Sequence, residues 1–379
     1  MNEDKATRFH RLRRRAAIVA VGWSVLLLAG LLVTGGSAWL SDAAHRLVAT
    51  WSIPWFLFTP ALAACYAIVV ALAHEVVAFP LAMFTGLVLE RRYGLSRQTA
   101  GEWHRDHLKA LALGLLFGGL SAAFVYLALT LWPDRWWLAT TAGAVIVSLI
   151  LTWLAPVVLI PLFFKVTPLQ NDSLRERLTA LAQRVGTGTI GIYEWRLSQK
   201  TSRANAALTG FGRTRRILLS DTLVGDYSED EIEVILAHEL SHHVSHDVWR
   251  ALVLQAVVVG LGFWAGNWTL RWSIRWLGLY AISDPAGLPV LVLSAMAVSA
   301  LALPLVNAIS RWHERRADQF ALDTTRNPAA FASAMKRLGA SNLAEEDPST
   351  FARQFFYTHP PLGDRLDFAR AWAARHPSD

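Results

Sequence analysis

Apolar runs dominate the chain, and they come in lengths that match a bilayer. Crossing about 30 Å of hydrocarbon takes about 20 helical residues. Six runs reach that length, near residues 16–36, 55–79, 108–132, 136–164, 250–271 and 288–310. Between them the pattern changes. Residues 166–249 begin with Asn171-Asp172-Ser173 ahead of Leu174, Leu178 and Leu181, a helix start followed by a one-sided apolar stripe. Residues 189–197 and 215–220 predict strands, and the polar, glycine-bearing stretch 205–212 between them predicts a turn. Residues 311–379 predict helices punctuated by Pro and Gly. The pattern therefore gives a mainly α fold: a polytopic helical membrane protein of about six spans, with an α+β region outside the bilayer that holds a small β-sheet. It divides into 1–165 (a membrane region of four spans), 166–249, the transmembrane hairpin 250–310, and 311–379.

The charges orient these spans. Lys and Arg concentrate in loops on the cytoplasmic side. Residues 1–15 hold six of them (Lys5, Arg8, Arg11, Arg13, Arg14 and Arg15), and residues 89–109 hold five. The intervening 37–54 holds only Arg46, and the link after the third run only Arg135. Alternation places the amino terminus, residues 166–249 and the carboxy-terminal tail together on the cytoplasmic side. The first run is longer than a signal-peptide core, which predicts an uncleaved anchor.

Composition agrees with a lipid-embedded chain. Only 17% of residues are charged, against about 25% in a typical soluble domain. Seventeen Trp suit membrane interfaces. The net charge is +7, but no basic patch interleaves with aromatics outside the apolar runs, so no nucleic-acid partner is expected. The single cysteine, Cys65, excludes an intrachain disulfide and a cysteine-rich metal site. It is expected to be a buried apolar filler.

The chemistry gathers at residues 228–248. Ser228 with Glu231 three residues later is a capping box, so a helix starts there. On it lies His238-Glu239-Leu240-Ser241-His242, an H-E-x-x-H pattern. Residues four apart share a helix face, so both imidazoles can reach one zinc ion. Glu239 is turned about 100° from His238 and suits a general base rather than a ligand. A third ligand must come from elsewhere. The chain leaves this helix, crosses the membrane twice and re-emerges on the same side at residues 310–318. That return makes Glu314 the candidate ligand, and Asp318, four residues on, a candidate acceptor for a ligand histidine. His313 is a rival ligand on a different face. His243 and His246 beside the motif suit surface or supporting roles, and Asp247 suits capping or orienting the helix. His74-Glu75 in the second run are intramembrane charges that could line a cavity.

HELSHH followed by SRWHERRADQFA resembles the integral-membrane zinc proteases typified by the type I CAAX prenyl endopeptidase. The likeness extends to residues 89–99, to Pro156, Pro161-Leu162-Phe163 and Thr167-Pro168-Leu169, to the stretch from Ser202 to Leu223, and to His359-Pro360-Pro361-Leu362 with Arg365. It covers roughly residues 80–370. The resemblance implies one Zn2+ per chain on His238, His242 and Glu314. It implies Asn205 and Ala206 on an edge strand that pairs with an extended polypeptide substrate, and His359 and Arg365 over the metal as oxyanion stabilisers. The substrate it implies is hydrophobic, membrane-associated or lipidated. Eukaryotic members have seven spans, against six here. A composition rich in Ala, Leu, Arg and Trp points to a bacterial member in the inner membrane. Two other readings remain: a quality-control protease like the heat-shock membrane protease HtpX, and, from a different class, a six-span transporter carrying His74 and Glu75.

Overall fold

The computed structural model describes residues 4–187, 191–210 and 212–376. Among the described residues, six helices are long and apolar enough to cross a membrane. In chain order the first helices are α1 (Lys5–Val33), the short α2 (Gly36–Val48), α3 (Trp55–Arg92), α4 (Ala100–Leu131) and α5 (Trp136–Phe163). There follow β1 (Val166–Pro168), α6 (Asp172–Arg184), β2 (Gly191–Trp195), β3 (Ala206–Thr209), β4 (Arg216–Ser220), α7 (Asp221–Asp226) and α8 (Glu229–Val244). The last elements are α9 (Asp247–Leu277), α10 (Leu288–Thr325), α11 (Pro328–Asn342), α12 (Thr350–Phe356) and α13 (Leu362–Arg375).

The helices overrun the apolar stretches. α1 begins at Lys5, not at residue 16, because the Asp4 carboxylate caps it by accepting from the Ala6 N–H at 3.1 Å. Its first turns also bury Phe9 against Leu89, Tyr93 and Leu95. α10 runs for 38 residues, about 57 Å at 1.5 Å per residue, so nearly half of it projects beyond a 30 Å bilayer. That projection carries Glu314 and Asp318 on the same rigid rod as the span. Cys65 is half-buried rather than buried as expected, on a span that the other helices cover only in part.

The sheet has the order β1-β2-β4-β3. β4 pairs in parallel with β2 and antiparallel with β3. It sits inside the sheet because Ile217, Leu218 and Leu219 form an unbroken apolar run, all buried, as a strand covered on both faces requires. Two strands are not legible in the sequence. β1 is three residues long, and Ala206–Thr209 falls where composition predicts a turn; pairing with β4 decides its conformation. Of the predicted strand at 189–197, residues 189 and 190 lie outside the described residues.

The motif helix α8 is anchored at its start. Ser228 accepts from the Glu231 N–H, and the Glu231 carboxylate accepts from the Ser228 N–H at 2.8 Å. Such a cap contributes about 1 kcal/mol. Glu231 also accepts from Ser333 Oγ at 2.6 Å and from Arg337 Nη1 at 3.1 Å, which ties α8 to α11. The apolar face of α8, with Ile232, Ile235 and Leu236, packs into one core with Leu174, Leu178 and Leu181 of α6 and with Ile217 and Leu219 of β4. The metal motif therefore rides on a helix held at its cap, along its face and by its neighbour.

Candidate metal centre

Three side chains from two helices converge. Glu314 Oε2 lies 3.2 Å from His238 Nε2, and Glu314 Oε1 lies 3.5 Å from His242 Nε2. Two atoms each about 2.0–2.1 Å from a tetrahedral zinc stand roughly 3.3 Å apart, so these separations suit a shared ion. Among the described residues these three are the group of His, Cys, Asp and Glu side chains able to hold a metal together. Glu314 Oε2 is buried and makes no well-formed hydrogen bond, facing His238 Nε2 at 3.2 Å, so a cation between the two would satisfy it. The donor set fits a metal of the zinc class.

Each imidazole presents Nε2 to Glu314 and turns Nδ1 toward a second carboxylate. His238 Nδ1 donates to Asp318 Oδ1 at 2.9 Å, and His242 Nδ1 donates to Asp247 Oδ2 at 3.0 Å. A carboxylate behind each candidate ligand fixes the tautomer and the ring orientation. Asp318 is itself clamped by Arg365, whose Nε and Nη2 donate to its two oxygens at 2.9 and 2.5 Å. Burial opposes charge on His238, but the carboxylates of Asp318 and Glu314 outweigh it and push its pKa up to about 10 in the metal-free protein.

Asp247 is the residue whose specific part the sequence did not reveal. It lies beyond the end of α8, and it reaches back because His246 adopts a left-handed φ of 56° as the chain turns into α9. The only signal in the sequence is an acid a few residues past the second histidine. Replacing Asp247 by Asn is expected to weaken metal binding by about 10–100-fold, read by chelator competition, with turnover at saturating metal little changed.

Glu239 projects from the same helix turn. Burial raises its pKa above the usual carboxylate range, partly offset by His238 and His242, and the backbone of Leu208 on β3 hydrogen-bonds to it. A cavity of about 410 Å³ gathers Asn205, Ala206, His238, Glu239, His359 and Arg365 on its walls. His359 Nε2 stands 3.4 Å from Glu314 Oε1. Arg365 lies on the Nδ1 side of His238, engaged with Asp318, rather than above the Nε2 atoms as expected. β3 is one of the two edge strands of the sheet. The Asn205 carbonyl accepts from the Ser220 N–H at 2.9 Å, so alternation turns the backbone groups of Ala206 to the outer edge.

The remaining candidates lie apart from the group. His313 Nε2 is 3.8 Å from Asp247 Oδ1 and is not one of the converging group. His243 Nε2 contacts Arg215 Nη1 at 2.8 Å. In the spans, His74 Nε2 meets Ser24 Oγ at 3.0 Å and Glu75 Oε1 meets His107 Nε2 at 2.7 Å, and His74 and Glu75 line a cavity of about 650 Å³.

Comparison with known proteins decides what this arrangement is. The sequence profile of peptidase family M48 matches residues 168–373, and a profile described as the CAAX prenyl protease N-terminal region of five membrane helices matches residues 2–165. The chain belongs to peptidase family M48. It is a membrane-embedded, multi-pass metalloprotease of the CAAX-prenyl-protease-like kind. A CAAX prenyl protease 1 homolog of Oryza sativa subsp. japonica is 30% identical over 304 residues, covering 77% of this chain and 69% of that protein. An uncharacterized metalloprotease, YhfN, of Bacillus subtilis (strain 168) is 29% identical over 308 residues, covering 80% and 72%. The crystal structure of S. mikatae Ste24p shares the fold, with a TM-score of 0.81 over 96% of this chain and 87% of that one at 23% identity. Where the amino-terminal profile describes five membrane helices, the described residues of this region hold four long apolar helices plus the 13-residue α2.

Proposed function

We propose that this M48 member is a zinc endopeptidase that cuts hydrophobic, membrane-associated or lipidated polypeptides reaching it from the bilayer. One observation carries the substrate class. A groove of about 1270 Å³ runs between α1 and α3, walled by apolar residues such as Val19, Leu26, Val77 and Leu81, and His359 is among its lining residues. A chain anchored in lipid can lie in that groove without exposing its apolar part to water.

His238, His242 and Glu314 are the proposed metal ligands. Zinc held there supplies a Lewis acid that lowers the pKa of a water molecule and polarises the scissile carbonyl. Glu239 takes a proton from the attacking water and returns it to the leaving amine nitrogen; its raised pKa suits both transfers. The outward backbone groups at Ala206 hold the substrate as an added strand, with Asn205 at its start, which binds main chain of any sequence. His359 stands where it can donate to the oxyanion. Arg365 positions Asp318, and through it His238, so the oxyanion role is assigned to His359 alone. By the distribution of Lys and Arg, the sheet, the motif helix and the amino terminus face the cytoplasm.

The test compares cleavage of one peptide in three forms: soluble, carrying a prenyl chain, and fused to an apolar span. An unmodified misfolded membrane protein serves as a further substrate, and the Glu239→Gln protein as control. The tethered forms are expected to be cut at least about tenfold faster than the soluble one, a gain of the size that local concentration readily supplies. Equal rates for all three forms would remove the case for the groove. Preference for the misfolded protein over both tethered peptides would favour a quality-control role.

A further inference from the structure

The arginines at the start of α1 orient the chain in the membrane, but Arg14 has a second engagement. Its Nη1 donates to Glu345 Oε2 at 2.6 Å and approaches Tyr357 OH at 3.2 Å, while Nη2 lies 3.4 Å from Glu345 Oε1. Tyr357 OH also donates to Glu345. Glu345 is 5% exposed, so its charge is balanced by Arg14, with the Tyr357 hydroxyl hydrogen-bonded to it, rather than by water. One turn earlier on α1, His10 Nε2 donates to the Leu343 carbonyl at 2.8 Å. Leu343 has a left-handed φ of 51°, so this loop leaves α11 by a constrained turn.

Tyr357 is two residues before His359. Its side chain is held from α1 through Glu345, and its backbone is held from α10. Arg311 Nη1 donates to the Tyr357 carbonyl at 2.7 Å and to the Arg353 carbonyl at 2.7 Å, and Asn307 Nδ2 donates to the Gln354 carbonyl at 2.8 Å. α10 is the helix that carries Glu314. The segment bearing His359 therefore has two anchors: one on the metal-ligand helix, and one on the first span, 331 residues away in sequence from Glu345. His359 itself is largely exposed, and its ring approaches Thr358 and Glu314. Those two contacts do not fix it, so the backbone on either side must place it. Pro360 and Pro361 restrict the backbone on the far side, which leaves Tyr357 as the point of control on the near side.

We infer that Arg14 is a positioning residue for His359, acting through Glu345 and Tyr357. The first span is thereby both a wall of the substrate groove, which Arg14 and Tyr357 line together with His359, and a brace for the group that meets the oxyanion. This rests on the proposed role of His359. A brace differs from a merely stabilising contact in one respect: its effect must pass through His359. Misplacing a catalytic group by about 1 Å costs up to about 100-fold in rate.

The experiment is a double-mutant cycle on the full-length, metal-loaded protein in detergent or vesicles, with peptide hydrolysis as the readout and metal content as the control. Arg14→Gln is expected to lower kcat by about 10–100-fold with KM within about twofold and metal content unchanged. On the His359→Ala background the same change is expected to have no further effect on kcat, because the braced group is already gone. Tyr357→Phe, which removes one hydroxyl, provides a second arm if Arg14→Gln folds poorly, and it should give the same non-additivity. Additive losses in either cycle, or an unchanged kcat in both Arg14→Gln and Tyr357→Phe, would overturn the inference. Full activity of His359→Ala alone would overturn it at the step on which it rests, while loss of hydrolysis in Glu239→Gln would still stand as evidence for the protease chemistry.

Discussion

Changing Glu239 to Gln is expected to leave metal binding intact and to lower peptide hydrolysis by about 10²–10⁴-fold. The substitution keeps the size of the side chain and removes only its ability to accept a proton. The atoms that converge as a metal group belong to His238, His242 and Glu314, and the orienting hydrogen bonds belong to Asp318 and Asp247; the new amide supplies none of them. The loss should fall on kcat, since the extended binding proposed along β3 would not need the carboxylate. Metal content measured on the purified variant, beside initial rates on a tethered peptide, checks the expectation. A variant that kept metal and retained wild-type kcat would remove Glu239 from the chemistry. A variant that lost metal would mean that the carboxylate helps to hold the ion, contrary to its direction on the helix.

Why such a site is legible in sequence, and where legibility ends, follows from how each contact is encoded. His238, Glu239 and His242 lie within little more than one helical turn, so the period of the helix alone sets their relation. Glu314 is far from His238 along the chain, but topology erases that separation. Two membrane crossings return the chain to its starting side, and α9 and α10 pack together along the return. A bilayer permits few ways to connect two adjacent spans, which makes a distant contact predictable. The Asp247 contact has no such periodicity. It depends on a left-handed residue at His246, which nothing in the side-chain pattern demands. The strand at Ala206–Thr209 is hidden for a related reason: it lies in a stretch with the composition of a turn, and only β4 alongside it makes a strand. Arg14 is legible as a topological charge but not as a partner of Glu345, because helix α1 begins earlier than its apolar run and so extends toward a loop from the other end of the chain.

Removing the proposed acidic ligand tests the centre from the other side. Glu314→Gln is expected to weaken metal binding by more than the roughly 10–100-fold typical of an orienting partner, and to abolish hydrolysis at micromolar metal. The neutral amide offers a poorer donor and leaves two imidazoles where three protein ligands are the usual minimum. The same variant should also change how the metal-stripped protein responds to pH. In the stripped wild type, burial disfavours a charged His238, and the carboxylates of Asp318 and Glu314 more than offset it, so the ring stays protonated up to about pH 10. Because this folded-state pKa lies above the ordinary value near 6.5, the stabilisation is fully present below about pH 6.5 and is lost as pH rises through about 10. Metal must displace the proton on the Nε2 that faces Glu314, so metal uptake by the wild type should release a proton and strengthen as pH rises across that window. Without the Glu314 carboxylate, the His238 ring loses one of its two counter-charges, and both the alkaline loss of stability in the stripped protein and the proton release on loading should shift to lower pH. Thermal unfolding of stripped protein between about pH 6 and pH 10, with metal titrations in weakly buffered solution, reads both effects. An unchanged pH profile in Glu314→Gln would mean that the carboxylate does not face His238, and the three-residue centre would have to be redrawn.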